Sequence, residues 1–240
     1  MGAETLIRSH KQFKKKYGKK YSSLFQELVE KGQSPKTLFI ACSDSRVVPN
    51  LITYTKPGDL FIARNIGNFV PPFDPDSEAS ATPAVIEYAL SVLNVDNIIL
   101  CGHTDCGACK SLYQDISEDD IEMTHIKKWL RFGESAKEQA LAFVGLQDKK
   151  ALYAATEKFN VIEQLKNLLT YPAVKRKVAE GKIFVQGWYY HLDNGELEYF
   201  DPIEHRFLPV DAVLDKAQED SRVEHRYPES DDQQERMAAQ

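Results

Sequence analysis

Short apolar runs recur along this chain, each ending in a polar or glycine-bearing turn. "KTLFIACSD" (36–44), "GDLFIARN" (58–65) and "VDNIILCG" (95–102) are too short for globular helices and read as buried strands. Between them the period changes. "YSSLFQELVEK" (21–31) spaces its apolar residues as a helix does, with Ser22 or Ser23 near its start and Gly32 just past its end. "ATPAVIEYALSVLN" (81–94) reads as a helix with Thr82 as N-cap and Pro83 in the first turn. Helical patterns follow at roughly 107–114, 120–132, 134–145 and 147–169. Near the end, "KIFVQGWYYHL" (182–192) and "ELEYFD" (196–201) flank "DNG", a hairpin signal. Strands alternating with helices predict an α/β fold: a mostly parallel central sheet with helices on both faces, an antiparallel edge strand at the C-terminal hairpin, and an N-terminal helical extension.

The length of 240 residues suits one large domain. We assign it to residues 1–210, with 1–32 as an N-terminal helical arm and 211–240 as a mobile acidic tail. That tail carries nine acids against four Lys or Arg, about five of the six net negative charges. The arm is the opposite. Residues 11–20 hold six lysines, while Phe13, Tyr17, Tyr21, Phe25 and Leu28 recur at nearly helical spacing, so the lysines read as the solvated face of an amphipathic helix. Neither nucleic acid nor membrane is required as a partner. No apolar stretch reaches the roughly 18–20 residues of a membrane span, and no apolar secretory segment opens the chain. Four cysteines without such a segment predict reduced thiols and a cytoplasmic protein.

Ligands of parallel α/β sheets gather beyond the carboxyl ends of the strands, and two strand exits here are chemically rich. One carries Cys42, Asp44 and Arg46 at alternate positions, which share a face of an extended segment. The other carries His103 and Cys106. Zinc binds Cys sulfur and His nitrogen tetrahedrally, and three protein ligands leave a position open for water. Other readings of "CSDSR" fit less well. A cysteine phosphatase loop needs five residues between Cys and Arg, where this chain has three. A papain-type thiol enzyme with His103 as base leaves Cys106 unexplained. A structural zinc knuckle would need a fourth ligand, such as Asp44, Cys101 or Cys109. Cys101 ends an apolar run and reads as core; Cys109 falls one turn into the following helix.

In order and spacing, "ACSDSRV", "ARNIGN" and "CGHTDCGA" resemble the motifs of β-class carbonic anhydrases. The similarity runs from about Gln33 to Lys110 and continues through "LLTYPAVK" and "GWYYHLDNGELEYF". It implies one Zn²⁺ per chain on Cys42, His103 and Cys106, and an Asp44–Arg46 catalytic dyad. The implied reaction is reversible hydration of carbon dioxide to bicarbonate and a proton, by attack of zinc-bound hydroxide oriented by Asp44. It further implies a substrate cleft lined by Gln33, Phe61, Ile66 and Tyr88, and a homodimer or dimer of dimers whose amino-terminal helices wrap over the neighbour. In some members the aspartate closes onto zinc, so Asp44 becomes a metal ligand only in such a state. Members that bind regulatory bicarbonate carry Trp three residues before the first zinc cysteine and Gly just before it. Here those positions are Phe39 and Ala41, and the segment looks closer to the plant-like branch with an open resting site.

Two other functions share these residues. The same scaffold could hydrolyse carbonyl sulfide or carbon disulfide, or serve as a non-catalytic zinc-stabilised interaction module. An intact Asp44–Arg46 pair argues against the module.

Overall fold

The computed structural model describes residues 2–77, 80–117 and 119–212. The chain enters through α1 (Ala3–Phe13), a π-helical turn at Lys14–Gly18, and α2 (Ser22–Lys31). It continues through β1 (Thr37–Cys42), α3 (Pro49–Ile52), β2 (Leu60–Asn65), α4 (Ala81–Ser91), β3 (Asn97–His103) and α5 (Gly107–Ser111). The second half holds α6 (Thr124–Leu130), α7 (Glu134–Val144), α8 (Lys149–Leu168) and α9 (Pro172–Ala179), then β4 (Phe184–Tyr190), β5 (Leu197–Asp201) and β6 (Arg206–Pro209). From residue 213 onward the acidic tail expected over 211–240 lies outside the described residues.

Among the described residues the strands form one sheet in the order β2-β1-β3-β4-β5-β6. The first four run parallel; β5 and β6 are antiparallel. The fold class predicted from periodicity is the one found. The strand β6 went unread in the sequence: it has four residues, of which only Leu208 is buried.

Period-two alternation explains why the central strands are apolar throughout. Leu38 and Ile40 of β1, with Ile98 and Leu100 of β3, pack against Ile86, Leu90, Val161 and Leu168 from α4 and α8. Phe39, Ala41 and Cys101 point to the opposite face, with Val47 and Trp188. Each such large side chain taken from water contributes about 1.5–3 kcal/mol. The core therefore fixes β1 and β3 as neighbours in one register, Thr37 beside Asn97 through Ala41 beside Cys101. From β1 the chain crosses to β2 on one side and then to β3 on the other. The carboxyl ends of β1 and β3 thus flank a topological switch point.

Two glycines bring α8 unusually close to this sheet. A Cβ on Gly102 of β3 would stand 2.5 Å from Val161 Cγ2, and one on Gly187 of β4 would stand 2.8 Å from Val161 Cγ1. From that position one face of α8 reaches the loops at the strand ends. Gln164 accepts from the Val70 N–H (2.7 Å) and donates to the Phe132 carbonyl (2.8 Å), while Asn160 donates to the Gly67 carbonyl (2.9 Å).

Two local expectations are corrected. Ser80, not Thr82, holds the N-cap position of α4, with no side-chain cap bond. Thr82 instead lies buried in the first turn and accepts from Asn65 Nδ2 at 3.0 Å, a tertiary bond that outcompetes capping. The helix predicted over 81–94 ends at Ser91, and Asn94 turns the chain with a φ of 52°.

The arm folds as a helical rod that buries none of its residues. His10, Phe13, Tyr17, Tyr21 and Phe25 form a ladder with successive ring centroids 5.9, 6.3, 6.4 and 6.2 Å apart. A spacing of four drifts around a helix of about 3.6 residues per turn, and the wider π turn offsets that drift. No described helix is long and apolar enough to cross a membrane.

Candidate metal centre

Cys42 is the last residue of β1, His103 the last of β3, and Cys106 the N-cap residue of α5, three residues beyond. Their ligand atoms all lie within 4.8 Å of one another. All three are buried, with 5%, 1% and 1% exposure. The register brings the strand ends together, with Ala41 beside Cys101 and β3 running one residue past the end of β1 to His103, and the tight turn after β3 brings Cys106 back to the same spot. Thr104 secures that turn, its N–H donating to the Tyr190 carbonyl (3.0 Å) and its hydroxyl accepting from the Leu192 N–H (2.9 Å).

The imidazole is oriented for a ligand. His103 Nδ1 lies 2.8 Å from the Thr104 carbonyl, which can only accept, so Nδ1 carries the proton and Nε2 keeps its lone pair. That Nε2 is buried and, among the described residues, has no hydrogen-bond partner. Such an atom is costly unless something fills its place. The sulfurs make the same point. Hydrogen bonding to Cys106 and burial push the Cys42 thiol up to about 12, and bonding to Cys109 and burial push Cys106 up further. A divalent cation is the charge that turns such buried thiols into thiolates. Two sulfurs and one free imidazole nitrogen suit zinc.

Asp44 stands two residues past Cys42, half-buried. Arg46 Nε donates to Asp44 Oδ1 (2.9 Å), Arg46 Nη2 to Asp44 Oδ2 (2.8 Å), and the Arg46 N–H again to Oδ1 (2.9 Å). This bidentate pair holds the Asp44 carboxyl well below the usual carboxylate range. Arg64 grips the backbone of the same turn. Its Nε donates to the Cys42 carbonyl (3.0 Å) and its Nη2 to the Asp44 carbonyl (2.5 Å).

Of the expected cleft residues, Phe61 and Tyr88 are together, stacked with centroids 5.8 Å apart. Ile66 is exposed just past β2, whose end pairs with that of β1 through Ser43 N–H donating to Asn65 O at 2.7 Å. Gln33 is exposed between α2 and β1, and no hydrogen bond or ion pair among the described residues ties it to the donors. Cys101 is core, its thiol pushed up to about 12 by burial. Cys109, also buried, lies outside the three-donor group.

The sequence reading missed Glu157. From α8 it accepts from the Cys106 N–H (2.9 Å) and from the Tyr189 hydroxyl (2.6 Å), while burial raises its pKa. Its signal was a polar residue at 157, 160 and 164 on the same helix face as Val161 and Leu168, where an ordinary core helix would be apolar.

Three buried donors that could hold a metal ion lie at the switch point of a parallel sheet, with an arginine-clamped carboxylate beside them, an arrangement that suits an α/β enzyme. Residues 37–197 match the family model for carbonic anhydrase. A carbonic anhydrase of Helicobacter pylori is 37% identical over 85% of this chain and 92% of its own length, and one of Synechocystis is 35% identical over 92% and 80%. Among solved structures, the β-carbonic anhydrase CcaA aligns with a TM-score of 0.80 at 36% identity, covering 86% of this chain and 91% of that one. A tetrameric β-carbonic anhydrase of Sordaria macrospora aligns at 0.70 and 30%, covering 82% and 96%. The chain belongs to the carbonic anhydrase family, in its β class.

Proposed function

We propose that this chain, loaded with one zinc ion on Cys42, His103 and Cys106, interconverts carbon dioxide and bicarbonate. One observation carries the reading: among the described residues the buried His103 Nε2 has no hydrogen-bond partner, and the ligand atoms of His103 and two buried cysteines lie within 4.8 Å of one another. Zinc, when bound, supplies the Lewis acidity by which water becomes a nucleophile near neutral pH. Asp44, ionised because Arg46 clamps it, accepts a hydrogen bond from that nucleophile and turns its lone pair toward the substrate carbon. Arg46 keeps the carboxylate from taking the proton. Arg64 holds the Cys42–Asp44 backbone, so the donor and the acceptor keep a fixed separation. Phe61, Ile66 and Tyr88 form apolar walls for an apolar substrate, and the amide of Gln33 suits an anionic product.

The arm suggests assembly. Its exposed aromatic ladder is a surface that a second copy of the chain would cover, giving a dimer or dimer of dimers. The core domain is residues 1–210, and buried free thiols suit the reducing cytoplasm.

Stopped-flow hydration of carbon dioxide by the zinc-loaded protein tests the reading. Turnover well above the uncatalysed rate is expected; none at alkaline pH overturns it.

A further inference from the structure

Beside the three donors, four side chains alternate in charge. Arg46 spends one edge of its guanidinium on Asp44, and its remaining nitrogen reaches across the switch point. Nη1 donates to Asp105 Oδ2 (2.8 Å), and Nη2 also donates to the Asp105 carbonyl (3.1 Å). The other carboxylate oxygen of Asp105 accepts from Lys110 Nζ. Asp105 sits between His103 and Cys106 in the turn, with a φ of 62°, a left-handed conformation that Asp and Asn adopt more readily than other side chains. The second anchor is therefore built into the loop that carries two of the donors.

We propose that Asp105 and Lys110 are positioning residues: they fix the plane of the Arg46 guanidinium and, through it, keep the Asp44 carboxylate facing the donor set without joining it. This rests on the dyad reading above and deepens it.

The physical need is plain. Arg46 is 48% exposed, and an exposed ion pair held only at one edge is weak and free to swing as a unit. Asp105 clamps the opposite edge, so the guanidinium is tied to both strand ends at once. Lys110 balances the second carboxylate, and the two acids and two bases sum to no net charge beside the site. Without Lys110 the two carboxylates would share one arginine, leaving a net negative charge beside a centre that must hold hydroxide and release bicarbonate.

The variants Asp105→Asn, Lys110→Met, Lys110→Arg, Asp44→Asn and Asp44→Asn/Asp105→Asn test this in the zinc-loaded protein. Asparagine keeps the left-handed backbone and removes the charge. We expect Asp105→Asn to keep wild-type zinc content while kcat falls by about tenfold or more and KM changes by less than about twofold. Lys110→Met should do the same more mildly, with Lys110→Arg restoring the rate. In the Asp44→Asn background, Asp105→Asn should cost nothing further, since it acts through Asp44. A crystal structure of zinc-loaded Asp105→Asn should show Arg46 turned away and the Asp44 carboxylate displaced.

If Asp105→Asn and Lys110→Met turn over like wild type while Asp44→Asn does not, the inference falls and the dyad stands. If Asp44→Asn itself turns over normally, the dyad reading falls first. Should Asp105→Asn fail to fold or lose zinc, Lys110→Met decides: a wild-type kcat overturns the proposal.

Discussion

Gly102 lies so close beneath Val161 that a methyl group on the glycine would stand 2.5 Å from the valine Cγ2. This contact lets α8 approach the end of β3, which places Glu157 against the Cys106 N–H. Gly102→Ala must push the helix off the sheet. We expect a loss of about 1–3 kcal/mol, as for other overpacked cores, together with weaker zinc retention. Chemical denaturation and metal analysis would check it; an unchanged midpoint would contradict the close packing.

Binding and chemistry should separate cleanly. Cys106→Ser is expected to lower zinc content, Asp44→Asn to keep zinc but lose most turnover. Cys109→Ala, outside the donor group, should keep a full zinc complement. Zinc stoichiometry measured beside each rate makes the comparison; normal turnover in Asp44→Asn would remove its assigned role.

The pH profile carries a sign. Arg46 holds the Asp44 carboxyl below its ordinary value, so Asp44 is already ionised throughout the range from about pH 6 to about pH 9 and adds no inflection there. Any rise over that range belongs to the water activated at the metal. Two thiolate donors offset the charge of the cation, so this water should acidify less than in a three-histidine site, where its pKa is about 7. Hydration should therefore climb toward alkaline pH, and the residual rate of Asp44→Asn should climb with the same shape. A flat wild-type profile would refute this.

Removal of residues 1–20 takes away much of the aromatic ladder and most of the lysines of the arm. Since none of these side chains is buried in the described chain, the domain should stay folded while self-association weakens. Light scattering and circular dichroism together would read this; an unchanged mass would exclude the arm as a contact.

Much of the fold was legible because each central strand is apolar on both faces and ends at a turn signal. The donor set was legible for a related reason: Cys42 and His103 close two such runs, and a parallel sheet brings run-ends together. The failures are equally physical. The Thr82 hydroxyl could not be seen to serve Asn65 rather than its own helix, because that choice is made in tertiary contact. Asp105 was quoted within its motif, yet its partner Arg46 is 59 residues away. Glu157 serves a loop 51 residues earlier, a partnership that only the folded chain makes.

The polar face of α8 has one more effect. Cys106 N–H is held by Glu157 and Val70 N–H by Gln164, two loops far apart in sequence yet moored to one rod. Neither loop can breathe alone without stripping a buried partner from that rod. Their amides should exchange with solvent water through a shared, rare opening, so that the mouth of the site loosens as a whole or not at all.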